Sequence, residues 1–140
     1  MPGRTRSGRR GDDAELRLLL RAVRELGASR VVEVGHGRNL RYLSFLREHG
    51  VDAVGVETRT EHVRRALARG LPSVNVDAVG ESGWVRRVLR PDLVYSARPP
   101  VELALGLLRE YSPVLLRMRE EERWELPEPT RRLGPWDLYA

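Results

Sequence analysis

A short apolar run followed at once by two glycines constrains this chain more than any other stretch. Residues 31–34 (Val-Val-Glu-Val) are mostly β-branched, which is typical of a parallel strand buried on both faces. Gly35 and Gly37 follow, and from Leu40 onward leucines recur at helical spacing. A strand, a glycine turn and a helix form the opening of a nucleotide-binding βαβ unit, because glycine lets the backbone turn sharply and approach a ligand closely.

An acidic residue at the end of the next apolar run supports this interpretation. Glu57 lies 20 positions after Gly37, where a carboxylate can accept hydrogen bonds from ribose hydroxyls. Because Glu57 ends its strand, we expect it to be partly exposed. A dinucleotide fingerprint needs a third glycine at the position of Leu40, so the pattern does not favour NAD. The alternative is that the glycines only form a tight turn in a domain without a nucleotide.

The pattern Glu33-x-Gly35-x-Gly37 resembles the first motif of S-adenosylmethionine-dependent methyltransferases. In that family the acidic residue helps to hold the methionine end of the cofactor. The resemblance implies that Glu33, Gly35 and Gly37 bind S-adenosylmethionine, and His36 lies in the same loop, within reach of a ligand. The family often has a glycine where this chain has Asn39, so the match is incomplete.

Strand-like and helix-like patterns alternate along the rest of the chain, which predicts a parallel sheet with right-handed crossovers. Asp12 and Glu15 indicate the start of the first helix. With the strand order of the methyltransferase fold, we expect one α/β domain: a Rossmann-like, class I methyltransferase-like, doubly wound parallel sheet in the order 3-2-1-4-5. After about residue 126 the chain has room for one small edge strand at most, so we expect a C-terminally shortened fold.

Polar residues at the ends of the third and fourth strands extend the predicted cofactor site. Asp77 follows the third strand, where the methyltransferase family often has an acidic residue near the adenine amine. Asp77 is equally consistent with a turn or cap residue before Ala78. Tyr95 and Ser96 end the fourth strand and complete the predicted cofactor-binding set.

The segment Arg98-Pro99-Pro100-Val101 resembles the Asn/Asp-Pro-Pro-aromatic motif of amino-methyltransferases. That chemistry needs an acceptor to orient the amine and an aromatic ring to stack on it. Arg98 can only donate hydrogen bonds and Val101 cannot stack, so amine methylation is not predicted. Arg98 is suited to bind a phosphate or carboxylate; equally, the prolines can simply begin a helix.

The composition excludes several kinds of chemistry. The chain has no cysteine, so disulfides, thiol catalysis and cysteine-bound zinc are excluded. It also has no lysine, which excludes a Walker-type phosphate loop and a Schiff-base lysine. The three histidines lie on separate elements. No metal site and no nucleophile–base pair is therefore predicted, and no catalytic residue is assigned.

The net charge of +5 comes mainly from the N-terminus. Four of the 25 arginines (Arg4, Arg6, Arg9 and Arg10) lie in residues 1–10, which leaves 21 against 20 acidic residues elsewhere. We expect residues 1–11 to be a disordered basic tail and residues 12–140 to form the domain. The four tail arginines are candidates for contacts with nucleic acid. No apolar run is long enough for a membrane helix or typical of a signal peptide, so we expect a cytoplasmic protein with no membrane partner.

The whole chain, from about residue 14 to 139, resembles a family of short archaeal proteins with a methyltransferase-like fold and no assigned activity. Val32-Glu33-Val34-Gly35 and residues 92–103 carry this resemblance. The leading interpretation is an S-adenosylmethionine-binding domain, with methyl transfer to an unknown substrate. The shortness of the proteins in that family implies that a substrate domain is absent or is supplied by a partner. The alternative is a non-catalytic interaction module of the same fold, associated with RNA.

Overall fold

The computed structural model describes the backbone of residues 2–140 and the side chains of residues 13–140. Residues 2–11 of the predicted basic tail fall within the first helix, their side chains lie outside the described residues, and the disorder of the tail stays a prediction. The elements in chain order are α1 (Pro2–Glu25), β1 (Arg30–Val34), α2 (Arg41–Glu48), β2 (Asp52–Glu57), α3 (Thr60–Ala68), β3 (Ser73–Asn75), α4 (Ser82–Trp84) with a π-helical turn (Val85–Leu89), β4 (Leu93–Ala97), α5 (Val101–Glu110), β5 (Val114–Arg117), a 3₁₀ helix (Glu120–Glu125), β6 (Arg131–Leu133) and β7 (Trp136–Tyr139).

The strands form a single mixed sheet in the order β3-β2-β1-β4-β5-β7-β6. The first five strands are parallel, and β1 lies at the centre: Val32 pairs with Val54 of β2 on one side and with Val94 of β4 on the other. The predicted parallel order 3-2-1-4-5 is confirmed. The order reverses between β1 and β4, and open α/β sheets bind ligands in the crevice at the carboxyl ends of the strands at such a reversal.

The chain ends in two strands, and the prediction of one small edge strand at most after residue 126 is wrong. β7 pairs antiparallel with β5, and β6 pairs antiparallel with β7. Gly134, with φ +62°, and Pro135 form the two-residue connection between them. The first strand of this hairpin was missed because Arg131 and Arg132 give its three residues a charged surface pattern.

Each face of the sheet is covered by helices and carries its own apolar cluster. On one face α1 and α2 pack over three aromatic rings in T-shaped contact, Tyr42, Tyr95 and Trp136, with ring centroids 5.7 to 6.4 Å apart. On the other face α5 and the π-helical turn pack over Val32, Val34 and their neighbours. Because helices cover both faces of the sheet, solvent and ligands can reach the sheet at the loops that follow the strand ends. In the part of the chain that is described, no helix is long and apolar enough to cross a membrane.

Candidate functional site

The glycine loop joins the carboxyl end of β1 to α2. Gly35 and Gly37 both have positive φ, +71° and +57°, a conformation that residues with a side chain seldom adopt. The Gly35 amide donates to the carbonyl oxygen of Val56, 2.8 Å away, so the loop begins as a continuation of the β1–β2 ladder. A Cβ built on Gly37 meets no atom within 4 Å. The backbone at Gly37 is therefore open to a ligand.

The Glu57 carboxylate binds this loop. Its Oε1 accepts the amide of Gly37 and its Oε2 accepts the amide of Arg59, each at 2.9 Å. Glu57 is only 7% exposed, so the expectation of a partly exposed side chain is wrong: the glycine loop folds over the strand end and covers it. Burial opposes ionisation, but the amides of Arg59 and Gly37 outweigh it and hold the pKa of Glu57 below its usual value.

Asp77 caps the turn after β3, as one of its two predicted roles requires. Its Oδ1 accepts the amides of Val79 and Gly80 at 3.0 and 3.1 Å, and its own amide donates to Oε1 of Glu81 at 3.0 Å. The Asp77 side chain is nevertheless exposed. It lines a shallow cavity of about 250 Å³ with Thr58, Asn75, Val76 and Glu81, at the ends of β2 and β3. The capping role therefore leaves Asp77 accessible to a ligand.

His36 turns away from the open side of the loop. It is 3% exposed, and its Nε2 lies 2.7 Å from the hydroxyl of Ser73 while its Nδ1 lies 2.9 Å from the carbonyl oxygen of Gly37. The imidazole covers Gly55, where an added Cβ would come within 2.5 Å of the ring. His36 thus anchors the glycine loop to β2 and β3 from behind.

Glu33, Tyr95 and Ser96 are also buried behind the loop. The Tyr95 hydroxyl donates to Oε1 of Glu33 at 2.9 Å, and the Ser96 hydroxyl donates to the carbonyl oxygen of Val34 at 2.8 Å. All three side chains are at most 2% exposed. In this conformation they support the strand ends, and ligand contact by them stays a prediction.

Burial changes the pKa of the Glu33 carboxyl group. Loss of water around the carboxyl raises the pKa of Glu33 to about 8, although the Tyr95 hydroxyl and the charge of Arg41 both favour ionisation. At neutral pH the predominant form of Glu33 is therefore the neutral acid. A neutral Glu33 offers no negative charge to the amine of a ligand.

An ion-pair network beside the site was not predicted from the sequence. Glu15, in the interior of α1, is 4% exposed and accepts hydrogen bonds from Tyr42 (2.7 Å), Arg117 (2.9 Å) and Arg41 (3.1 Å). The network joins α1, α2 and β5. The sequence indicates Glu15 only as part of a helix start, because its partners lie 26 to 102 positions away.

Leu40 occupies the position of the third glycine of a dinucleotide fingerprint. Its side chain is 4% exposed and packs in the apolar cluster under α1 and α2. The helix that follows the loop is therefore held off the strand by a buried leucine. This packing differs from the close helix–strand contact that a third glycine provides.

Arg98 stands at the carboxyl end of β4 in a left-handed conformation, with φ +54°. Its amide donates to the carbonyl oxygen of Arg117 at 2.6 Å, which keeps the backbone in this conformation. The side chain is exposed and makes no ion pair within the described part of the chain. The guanidinium is thus available at the crevice between β1 and β4.

We expect Arg98→Gly to raise the melting temperature, because glycine adopts a positive φ without strain. Arg90, with φ +50° at the end of the π-helical turn, offers a matched control. Arg90→Gly should raise the melting temperature by a similar amount, and thermal unfolding followed by circular dichroism measures both. A fall for Arg98→Gly alone would show that the Arg98 side chain stabilises the fold.

The strand order, with β7 inserted antiparallel beside β5, defines a class I methyltransferase-like fold. Solved structures share it: the methyltransferase domain of bacterial CtHen1-CN has a TM-score of 0.54 and 14% identity, over 75% of this chain and 65% of that chain. Monomeric WbdD has a TM-score of 0.52 and 19% identity, over 89% of this chain and 36% of that chain. A SAM-dependent methyltransferase from Archaeoglobus fulgidus is also similar, with a TM-score of 0.49 and 20% identity, over 72% and 52%. The chain therefore spans about a third to two thirds of the length of these structures.

The family model described as "Methionine biosynthesis protein MetW" matches residues 13–83. The match covers half of the chain and contains β1, the glycine loop and Glu57. The chain belongs to the MetW family. A search of curated protein sequences found no match.

Proposed function

We propose that this chain binds S-adenosylmethionine at the carboxyl ends of β1, β2 and β3. The observation that carries the proposal is the contact between the Glu57 carboxylate and the Gly37 amide, 2.9 Å apart. This contact sets an acceptor beside a stretch of backbone that is open to a ligand. The fold and the family support the same ligand, since S-adenosylmethionine is a derivative of methionine.

Glu57 has capacity for a ribose although its oxygens already accept two amides. An ionised carboxylate offers about four lone-pair positions on its two oxygens. The amides of Gly37 and Arg59 occupy one position on each oxygen. The second positions carry only long contacts of 3.4 Å, from His62 Nδ1 to Oε1 and from the Thr58 hydroxyl to Oε2, which ribose hydroxyls would displace. The lowered pKa of Glu57 keeps it ionised at neutral pH, so both oxygens remain acceptors for ribose hydroxyls. We assign the ribose to Glu57.

The cavity at the ends of β2 and β3 is suited to the adenine. Asp77 and Thr58 lie in its wall and both are exposed. A carboxylate there can accept from the amino group of adenine while Asp77 keeps its capping bonds through Oδ1. Glu33, His36, Tyr95 and Ser96 hold the loop and the strand ends in place from the buried side.

Bound S-adenosylmethionine supplies an electrophilic methyl group, and we propose methyl transfer as the activity. Arg98, at the end of β4, can bind and orient an anionic group of an acceptor, but it cannot take a proton from one. We do not name the acceptor. The chain spans only part of the length of the similar structures. Substrate recognition by a protein partner stays a prediction.

A non-catalytic interaction module is the second candidate function. The presence of Arg98 where amino-methyltransferases orient their substrate favours it. In this alternative the fold is kept and the ligand is lost. The two candidates differ in whether an adenosyl ligand binds.

Isothermal titration with S-adenosylmethionine, its demethylated product and NAD is the direct test. We expect both adenosyl ligands to bind and NAD to bind more weakly, because Leu40 fills the position of the third glycine. Absence of binding by both adenosyl ligands would overturn the proposal. Release of demethylated product in the presence of a cell extract would distinguish the enzyme from the interaction module.

We expect Gly37→Asn to weaken the binding of S-adenosylmethionine by at least about tenfold, which corresponds to about 1.4 kcal/mol. Asparagine tolerates a positive φ better than other residues, so the fold is retained while a side chain enters the open space over the loop. Gly27→Asn is the matched control: Gly27 has φ +63°, equally open surroundings, and lies before β1 at the opposite edge of the sheet. Equal affinities of the two variants in the titration would contradict the assignment of the glycine loop.

A further inference from the structure

The near neutrality of residues 11–140 conceals a segregation of charge. Arg38, Arg64, Arg65 and Arg69, which we call the basic face, lie on α3 and on the loop before α2, and all four side chains are exposed. Five acidic residues are concentrated instead in residues 120–128, after β5. The two groups lie on different parts of the molecule, since β5 and β3 are separated by three strands.

The four arginines of the basic face make no ion pair and no side-chain hydrogen bond within the described residues. Most other arginines do: Arg123, for example, binds Asp137 with two hydrogen bonds of 2.6 and 3.1 Å. Val63 and Ala66 turn the apolar side of α3 inward, which leaves its arginines in solvent. Their charge is therefore not neutralised by the fold.

The basic face borders a concave site. A cavity of about 470 Å³ lies between the start of α2 and the end of α3, and its wall includes three arginines, Arg38, Arg41 and Arg69. Asn39 and Ser44 add polar groups, and none of the residues in the wall is acidic. Arg41 is held in place by Glu15. A concave, cationic site with hydrogen-bond donors is suited to a phosphate group.

We propose that the basic face binds the phosphate backbone of double-stranded nucleic acid, independently of base sequence. Arginine forks match phosphate oxygens, and contacts to a repeating backbone use several dispersed arginines at once. Leu67 is the exposed large apolar side chain on α3, and one leucine does not make a membrane-binding patch. The exposed Trp124 lies in the 3₁₀ helix after β5, and the ring of His62 on α3 is largely buried against Glu57. Among the described residues α3 therefore offers no exposed ring on which single-stranded bases stack. This inference does not depend on the binding of S-adenosylmethionine.

The test measures the binding of the full chain to a short DNA duplex by fluorescence anisotropy, between 50 and 200 mM salt. We expect Arg65→Gln with Arg69→Gln to weaken binding by at least about tenfold at 50 mM salt, and to reduce the slope of log K against log salt by up to about 1.8, since two phosphate contacts are lost. The matched control is Arg87→Gln with Arg109→Gln. These arginines are also exposed, but they lie on the π-helical turn and α5, over the other face of the sheet. The control should bind like the parent, and melting temperatures show that both variants fold.

Three results would overturn the proposal. In the first, Arg65→Gln with Arg69→Gln leaves the salt slope unaltered, while the slope is lost in a full-length variant in which Arg4, Arg6, Arg9 and Arg10 are changed to Gln. Binding would then belong to the tail. Another is tighter binding to single strands than to the duplex. The third is binding to vesicles of phosphatidylglycerol without binding to the duplex.

Discussion

Glu57→Ala is expected to destabilise the fold and to weaken the binding of S-adenosylmethionine together. The carboxylate accepts the amides of Gly37 and Arg59 in a buried position, and each hydrogen bond to a charged group contributes about 1.5–3 kcal/mol. We expect the free energy of unfolding in urea to fall by at least about 2 kcal/mol, a lower bound taken from that range. Affinity should fall by at least about tenfold, because the ribose loses its acceptor and the loop its anchor.

A matched control, Glu61→Ala, separates the effect of losing Glu57 from the effect of removing an acidic side chain in general. Glu61 lies on α3, four positions from Glu57, and is exposed. Glu61→Ala should leave affinity unchanged and alter stability by a few tenths of a kcal/mol at most, about the value of an exposed charge near a helix start. Titration of Glu57→Ala well below its melting temperature keeps unfolding out of the binding measurement. Undiminished affinity there would show that the ribose is not bound by Glu57.

The same carboxylate makes stability fall in acid. Since the pKa of Glu57 is lowered in the fold by its amide partners against the opposing effect of burial, the unfolded chain takes up the proton first as the pH falls. The stabilisation by Glu57 is therefore fully present above the ordinary value of 4.5 and is lost as the pH falls through the folded pKa. Glu57→Ala should accordingly lose less stability than the parent between pH 5 and strongly acidic solution.

Glu33→Gln is expected to remove a large loss of stability between pH 4.5 and about 8. Burial raises the pKa of Glu33 from 4.5 to about 8 in the folded protein. Between these two values the folded chain retains a proton that the unfolded chain releases, so stability decreases as the pH rises. The decrease due to Glu33 is about 1.4 kcal/mol per pH unit across this window and stops above it, where both states are ionised.

Glutamine has the shape of the neutral acid and keeps an oxygen for the Tyr95 hydroxyl. The stability of the Glu33→Gln variant should therefore not show the decrease with pH that Glu33 causes in the parent. The measurement is the free energy of unfolding of parent and variant in urea at several pH values from 5 to 9. The difference between the two isolates Glu33, because the two proteins differ only at this residue. Glu48→Gln, a change at an exposed acid of α2, serves as control and should run parallel to the parent. If the free energy of unfolding of Glu33→Gln also runs parallel to that of the parent across this pH range, Glu33 is ionised in the folded protein.

The strands and the glycine loop could be predicted because their causes are local, whereas the order 3-2-1-4-5 was implied by the resemblance to methyltransferases. A β-branched run at residues 31–34, two glycines and a helical repeat from Leu40 specify a strand, a turn and a helix within a few residues of one another. The alternation then allows few topologies, since parallel crossovers are right-handed. The hairpin of β6 and β7 was missed for the opposite reason: β6 is three residues long, and only pairing with β7 makes it a strand.

The candidate site could be predicted in position but not in its internal contacts. The spacing of Gly37 and Glu57 placed both at the same edge of the sheet, as the structure shows. The sequence could not show that the Glu57 carboxylate binds the Gly37 amide, or that His36 packs over Gly55. These contacts depend on how the loop folds back over β2.

The amino-acid sequence by itself determined the class of fold, the edge of the sheet that carries the site and the acidic and glycine residues available there. Tertiary structure alone decided which of these residues are exposed and which are buried. Glu33 is neutral because the assembled sheet and its helices remove water from the carboxyl group, and Glu15 is ionically paired because β5 brings Arg117 to α1. Periodicity reports which face of a strand or helix is apolar, whereas burial, pKa and hydrogen-bond partners depend on segments that meet only when the sheet is assembled.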